Sequence, residues 1–182
     1  AHDADNLTIQ KCLVGTTSSA AGSVPNGKSG VYLLLCNNAT IGGTSSATRN
    51  YLSGNTEYGL CLDNCNDCTV TGSYFGVGGG ASSAIGNGYD GLWIANSSNN
   101  TIGGSSAEAA NVFSGNGASG IGLQGSSTNN HVLGNYIGTD GDGDAAIPNL
   151  WYGVQTLGAG GNYIGGPGAG EGNLISGNNR AG

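Results

Sequence analysis

Three carboxylates stand at alternate positions of one short segment, at Asp140, Asp142 and Asp144. Oxygen ligands at such spacing can wrap around Ca²⁺. No glutamate follows at the distance that an EF-hand loop requires. The segment therefore predicts either a calcium site or, as we favour, a solvated acidic turn, and no other cofactor is expected.

Polysaccharide-cleaving chemistry needs residue arrangements that the sequence does not show. Glycoside hydrolysis requires two carboxylates facing one groove, and nothing in the sequence places Asp63, Asp67 and Asp90 on one face. His2 and His131 are isolated, and no nucleophile elbow is present. We therefore expect a protein that is not an enzyme.

Aromatic side chains are better candidates for contact with a partner. Aromatic faces stack on sugar rings or on neighbouring proteins. Ordinary packing in turns is the alternative interpretation. The predicted contact residues, which face outward or precede glycines that open apolar strands, are Tyr32, Trp93, Trp151 and Tyr152.

Four Asn-X-Ser/Thr sequons make glycosylation a possibility in a secreted protein. The motif alone is a weak signal. The candidate asparagines are Asn6, Asn38, Asn96 and Asn99.

The composition indicates which elements must position these residues. The 182 residues include 38 glycines, yet there is no Gly-X-Y period and proline is scarce, which excludes collagen. Charged residues make up 8% and apolar residues 37%, the opposite of a disordered chain. Glycine costs about 1 kcal/mol at each helix-interior position relative to alanine. An all-β fold rich in turns remains.

Charge and hydropathy limit the partners and the location. The formal net charge of −7 disfavours nucleic acid and anionic membranes. The longest apolar run, residues 31–36, is far shorter than the roughly 20 residues of a membrane-spanning helix. The first residue is alanine, as expected of a processed chain. We expect an extracellular or cell-surface protein.

Internal repeats organise the chain. Ile-Gly-Gly begins at 41, 102 and 164, and Ser-Gly-Asn begins at 53, 114 and 176, so two independent markers recur after 61 and then 62 residues. Such a period indicates a repeat architecture. The repeats cover approximately residues 1–61, 62–123 and 124–182 of one domain.

Each repeat divides into two coils of about 30 residues. Apolar strands open after glycines at 30, 59, 91, 120 and 153, with Gly182 next in the series. The first and third residues after these glycines are mostly apolar and the second is mixed, which is the alternation of a half-buried strand. Two further apolar columns follow in each coil. About six coils, each with three short strands, predict a solenoid; the alternative is a β-sandwich.

Several segments make the resemblance specific, namely Asn-Thr-Ile-Gly-Gly (100–104), Asn-Val-Phe-Ser-Gly-Asn (111–116) and Gly-Asn-Tyr-Ile-Gly-Thr-Asp (134–140). They resemble the pectate-lyase-like and periplasmic copper-protein-like repeats of right-handed parallel β-helices. The resemblance covers essentially the whole chain. It implies the fold but no single function, because β-helices include enzymes, adhesins and structural proteins.

The five cysteines are assigned from their columns. Cys36 and Cys65 each lie six residues after a coil glycine, which places them about 4.8 Å apart on adjacent coils. This spacing permits a disulfide, which we predict. Cys61 lies in the outward column and is predicted to be available for pairing between molecules, whereas Cys12 is predicted to be buried. A zinc site at Cys61, Cys65 and Cys68 lacks a fourth ligand.

The two ends of the chain suggest a function. Ala1 matches the third residue after a coil glycine and Gly182 is a coil glycine, so a second copy would continue the register. Head-to-tail contacts that do not close build filaments. The predicted self-assembly ends are Ala1, His2, Arg180 and Gly182, and the predicted function is that of an extracellular structural subunit whose partner is itself. The alternative is a glycan-binding or adhesive module of a larger surface protein, and a polysaccharide-degrading enzyme ranks below both.

Overall fold

The computed structural model describes residues 1–182 and contains 17 short strands and three 3₁₀ turns of three residues each. The 3₁₀ turns are Ser46–Thr48, Gly79–Ala81 and Ala107–Ala109. In chain order the strands are β1 (Thr8–Ile9), β2 (Leu13–Val14), β3 (Val31–Leu34), β4 (Thr40–Gly42), β5 (Tyr51–Leu52), β6 (Leu60–Asp63), β7 (Thr69–Thr71), β8 (Tyr74–Phe75), β9 (Leu92–Ala95), β10 (Thr101–Gly103), β11 (Val112–Phe113), β12 (Ile121–Gln124), β13 (His131–Leu133), β14 (Tyr136–Ile137), β15 (Val154–Leu157), β16 (Tyr163–Ile164) and β17 (Leu174–Ile175). No helix in the structure has the length and apolar character needed to cross a bilayer.

The strands form three parallel sheets, and each strand pairs with its equivalent in the next coil. Sheet A contains β3, β6, β9, β12 and β15; sheet B contains β1, β4, β7, β10, β13 and β16; sheet C contains β2, β5, β8, β11, β14 and β17. The predicted parallel β-solenoid is therefore confirmed. The coil number differs slightly from six, because sheet A has only five strands and the first coil adds a single bridge at His2.

The apolar columns predicted from the sequence form the core. Val31, Leu60, Leu92, Ile121 and Val154 are aligned neighbours across sheet A. A cluster of 19 buried residues fills the solenoid. Each coil covers the apolar side chains of the coil next to it. Burying one large apolar side chain in this way stabilises the folded state by about 1.5–3 kcal/mol relative to leaving it exposed.

A column of asparagines lies at one corner of the solenoid, and its members in the middle coils are buried. One column contains Asn26, Asn55, Asn87, Asn116 and Asn149, followed by Asn178. The Nδ2 group of each donates to the Oδ1 atom of the next, at 2.8–3.0 Å. Unpaired amides would be costly in a core, so this column explains why Ser-Gly-Asn recurs in each repeat.

The predicted disulfide between Cys36 and Cys65 is absent, since all five cysteines are free thiols. The two residues do lie on adjacent coils, as predicted, but their sulfurs make other contacts. The Cys36 N–H donates to Cys65 Sγ at 3.3 Å, and that thiol donates to the Asp63 carbonyl at 3.3 Å. In the same column Ser97 accepts the Cys65 N–H at 2.8 Å. Both thiols thus occupy positions that serine hydroxyls occupy in later coils of the same column.

The exposure of two other cysteines is opposite to the prediction. Cys61 points outward from sheet A but is only 3% exposed, so it is not available to a second molecule. Burial raises the pKa of the Cys61 thiol to about 12. Cys12 lies in the first coil and is partly exposed rather than fully buried.

The four predicted assembly residues lie in register with the adjacent coil. The Ala1 ammonium donates to a β3 carbonyl at 2.7 Å, and His2 forms a parallel bridge with the last residue of β3. At the other end, the Arg180 N–H donates to a carbonyl of the preceding coil at 2.9 Å. Gly182 packs against Ile175. These contacts extend sheet pairing to both ends of the described chain.

Candidate functional site

A groove of about 220 Å³ lies beside the outward side chains of sheet A. Its floor comes from the coil of β12, where Ala118 stands between Tyr89 and Trp151 of the flanking coils. Gly122, on β12 itself, lies between Trp93 and Gln155 of the neighbouring strands. Adjacent strands are about 4.8 Å apart, so the large side chains on either side are separated by about 10 Å. We call this space the aromatic groove.

Three packed aromatic rings form the first wall of the aromatic groove. The ring of Tyr58 stacks on Trp93 with a centroid distance of 5.5 Å and an interplanar angle of 16°. Tyr89 contacts Tyr58 at 5.4 Å. The indole lies over Gly122, where an added Cβ would fall 2.4 Å from a ring carbon. Glycine at this position therefore allows the indole to lie against the sheet.

The opposite wall combines apolar and polar groups on the coil of β15. Trp151 is 41% exposed and Leu157 is 45% exposed, so both present open apolar surface. The Arg180 guanidinium lies 5.3 Å from the centroid of the Trp151 ring. Gln155 accepts a hydrogen bond from the Ser119 hydroxyl at 3.4 Å and orients its amide beside the groove.

One carboxylate, that of Asp90, lines the aromatic groove. The residue is 5% exposed, and its Oδ1 accepts the Ser119 N–H at 2.8 Å. Burial raises the pKa of this carboxyl to about 6, and the bonds from Ser119 offset part of that effect. The pKa of Tyr58 rises to about 12, first through burial and second through the charge of Asp90.

The structure brings together half of the predicted aromatic contact residues. Trp93 and Trp151 both line the groove. Tyr32 lies elsewhere, where its hydroxyl donates to Asp63 at 2.6 Å and this bond raises the pKa of Tyr32 to about 12. Tyr152 packs 5.7 Å from the Arg180 guanidinium.

Two small residues shape the groove without being predicted from the sequence: Ala118 lines its open space, and Gly122 lies under the Trp93 indole. Ala118 and Gly122 stand in columns that carry large side chains one coil before and one coil after. That alternation is visible in the aligned coils and is the signal for a groove. Asp90 stands directly before a coil glycine, and the sequence alone indicates neither its burial nor its place in the groove.

The three acidic residues predicted to hold calcium do not converge on an ion. Asp140 Oδ1 accepts the N–H of Asp144 at 2.9 Å and that of Ala145 at 3.3 Å, so it closes its own turn. These bonds lower the pKa of the Asp140 carboxyl. No group of three His, Cys, Asp or Glu side chains is placed to hold a metal. The acidic-turn interpretation fits the structure.

All four sequon asparagines are exposed and have positive φ angles of 49–60°. Asparagine tolerates this left-handed conformation better than most residues, so its use at these corners has a structural reason. Asn99 Oδ1 also accepts a hydrogen bond from Asn129 at 2.6 Å. Glycosylation stays a prediction.

A larger recess of about 430 Å³ is lined by polar residues near the first coil. Its side chains are already engaged with one another. The Asn37 N–H donates to Asp5 Oδ1 at 2.7 Å, and the Asn66 N–H donates to Asn37 Oδ1 at 3.0 Å. The recess is thus an outer hydrogen-bonded ladder with one apolar lining residue, Leu35.

No curated protein sequence matches the chain significantly. Among solved structures, the chain aligns with the A-module of the mannuronan C-5 epimerase AlgE6 of Azotobacter vinelandii, with 17% identity and a TM-score of 0.45. The alignment covers 98% of this chain and 55% of the epimerase module, so the chain spans about half of that module's length.

The family model described as periplasmic copper-binding protein (NosD) matches residues 17–179. Copper favours thiolate, thioether and imidazole ligands. The chain has no methionine, and its two histidines are separate, with His131 stacked on Tyr163 at 4.5 Å and His2 in the first coil. With no cluster of three ligating side chains, the residues present do not fit a copper centre. On the extent of the match, the chain belongs to the NosD family of β-helix proteins.

Proposed function

We propose that this chain is a non-catalytic carbohydrate-binding β-helix and that the aromatic groove is its binding site. The observation that supports this proposal is the pair of aromatic walls on either side of a small-residue coil. Sugar rings present apolar C–H faces that stack on aromatic rings, and Asp90 and Gln155 supply hydrogen-bonding groups beside them. The rigid solenoid holds these groups in place without a ligand, which limits the entropy lost on binding.

The composition of the groove supports binding without cleavage. Hydrolysis of a glycosidic bond requires two carboxylates, and the groove contains Asp90 alone. The nearest guanidinium, that of Arg180, is stacked near the Trp151 and Tyr152 rings. Neither side chain has the partner that acid–base catalysis requires.

Intrinsic fluorescence tests the carbohydrate proposal directly, because both tryptophans of the chain line the groove. We expect glycan titration to change the emission, with calorimetry giving the same affinity. Trp151→Ala and Tyr89→Ala are expected to weaken binding by about tenfold each, since each removes a stacking surface. Tyr163→Ala is the matched control, as this tyrosine is 53% exposed on sheet B. Equal losses in all three variants, or no binding to a broad panel of neutral and charged glycans, would refute the proposal.

Head-to-tail assembly is a second candidate function, supported by the surface of the last coil. Ile164 in the last coil is 43% exposed, whereas Val132, its neighbour in the same column, is fully buried. Leu13 is exposed to the same extent, but it stands in the outward column of sheet C, so the stacking surface is that of Ile164. A second copy stacked in register would cover Ile164 and pair with the open sheet edge.

Assembly predicts a species that depends on concentration. Sedimentation velocity should show extended oligomers that grow with concentration, and Ile164→Lys should abolish them by placing a charge in the contact. Asp144→Lys, an exposed change in the acidic turn, serves as the control. A monomer at all concentrations would exclude this function while leaving glycan binding intact. The periplasmic description of the family supports export from the cytoplasm, and we extend that to a cell-surface or extracellular location as part of the proposal.

A further inference from the structure

We propose that the aromatic groove selects glycans that carry an ammonium group, such as polymers of amino sugars, over neutral and acidic glycans. This inference rests on the proposed carbohydrate-binding function and names its ligand class. The feature that distinguishes the ligand is a buried, unpaired carboxylate enclosed by aromatic rings.

The Asp90 carboxylate lacks a cationic partner within the protein. Burying a charge is costly unless the charge is paired. None of the four basic side chains forms an ion pair with this carboxylate: Lys28 approaches Glu57 at 4.0 Å, Arg49 lies over Tyr74, Lys11 lies in the first coil, and Arg180 stacks near Trp151 at the margin of the groove. The Ser119 N–H donates to Oδ1, and the carboxylate lines the groove, where a ligand can approach it. A ligand ammonium group would supply the missing opposite charge.

The rings around this carboxylate also favour a cation. Tyr58, Tyr89, Trp93 and Trp151 line the same space. Aromatic faces carry a negative quadrupole, and a cation over such a face gains about 0.5–2 kcal/mol, with the larger value when it is desolvated. The aromatic rings and the carboxylate around this cavity therefore both attract an ammonium group.

The surrounding charges oppose an acidic ligand. Glu57 is near enough to Tyr58 and Cys61 to help raise the pKa of both side chains, and the chain carries a net charge of −7. A uronate carboxylate in the groove would lie beside Asp90 without a bidentate arginine to receive it. The one arginine at the margin, Arg180, already faces the Trp151 ring.

Binding of three oligosaccharides of equal length at pH 7 and low salt tests the inference. The probes are a glucosamine oligomer, its fully N-acetylated counterpart and an oligouronate. We expect the glucosamine oligomer to bind about tenfold more tightly than the N-acetylated oligomer, as cation–π and ion-pair contacts of this size imply. The oligouronate is expected to bind most weakly.

Asp90→Asn separates the charge from the shape of the groove. We expect this variant to lose the tenfold preference, so that it binds the glucosamine and N-acetylated oligomers with equal affinity. Glu108→Gln, an exposed substitution with the same change in net charge, controls for long-range attraction and should keep the preference. Near-ultraviolet circular dichroism of each variant establishes that the fold is retained.

Each result distinguishes the two proposals. Equal affinity for the glucosamine and N-acetylated oligomers, or tighter binding of the oligouronate, overturns the ammonium selectivity and leaves glycan binding in place. A preference that survives Asp90→Asn, or one that Glu108→Gln removes, overturns the role of the groove in that selectivity. Absence of binding by all three probes overturns the ammonium selectivity, whereas glycan binding itself is refuted only if the broad panel also fails to bind.

Discussion

Asp90→Asn should make the protein more stable at neutral pH, although it removes a buried hydrogen-bonding carboxylate. The pKa of Asp90 is raised by burial from 3.8 to about 6. The folded state therefore binds the proton more tightly than the unfolded state, so the free energy of unfolding falls as pH rises from about 4 to 6. Two pKa units correspond to about 3 kcal/mol, which is the largest gain we expect above pH 7. The amide oxygen of asparagine can still accept the Ser119 N–H.

Urea unfolding at pH 3.5, 5 and 7.5 measures this effect, with circular dichroism following the sheets. The wild type and Asp90→Asn should have equal stability at pH 3.5, where the wild-type carboxyl is protonated, and should diverge as pH rises through 6. Glu108→Gln is the control and should follow the wild type at each pH. A variant that is less stable than wild type at pH 7.5 would show that the folded protein stabilises the Asp90 charge, which contradicts the reasoning.

Three further predictions concern the groove, the corners and the thiols. Gly122→Ala should displace the overlying indole, shift tryptophan emission and weaken glycan binding, whereas Gly160→Ala, which has open space, should do neither. Asn116→Ala should lower the free energy of unfolding by about 2–4 kcal/mol in urea titrations, because it leaves several buried donors and acceptors unpaired; a loss below 0.5 kcal/mol would contradict the role of the ladder. A thiol reagent should modify Cys12 in the native protein and the other four cysteines only after unfolding, and rapid modification of two or more native thiols would contradict the described burial.

The fold was predictable because the same pattern of apolar residues, glycines and turns recurs in each coil of a solenoid. Ile41, Val70 and Ile102 occupy one inward column, and sequence spacing alone aligned them before the structure showed their pairing. The number of coils was harder to predict from the sequence. It depends on whether the first residues complete a strand, and the structure shows only a bridge at His2.

Side-chain surroundings were harder to predict than strand direction. Alternation correctly placed Cys61 on the outer face, but it gave no information on the neighbours that leave the side chain 3% exposed. The Cys36–Cys65 pair illustrates the same difficulty. Spacing satisfied the requirement for a disulfide, while the hydrogen bonds that the two thiols make to the backbone follow from packing at the corner.

The groove was partly visible in the sequence. Trp93 and Trp151 were identified as outward aromatic residues, and both line it. The space between them exists because the intervening coil carries small residues, Ala118 and Gly122. Such small residues are recognised only when the coils are aligned column by column. The pKa of Asp90 depends on burial and therefore required the structure.

The central claim is that the aromatic groove binds a glycan, and the two tryptophan side chains offer the most direct test. In a ¹⁵N-labelled protein each indole N–H gives its own NMR signal, and Trp151→Phe assigns the pair. On titration with the glucosamine oligomer, both indole signals should shift along one saturable curve with a single affinity. Saturable binding by calorimetry that leaves both indole signals in place would put the ligand elsewhere on the protein and contradict the account.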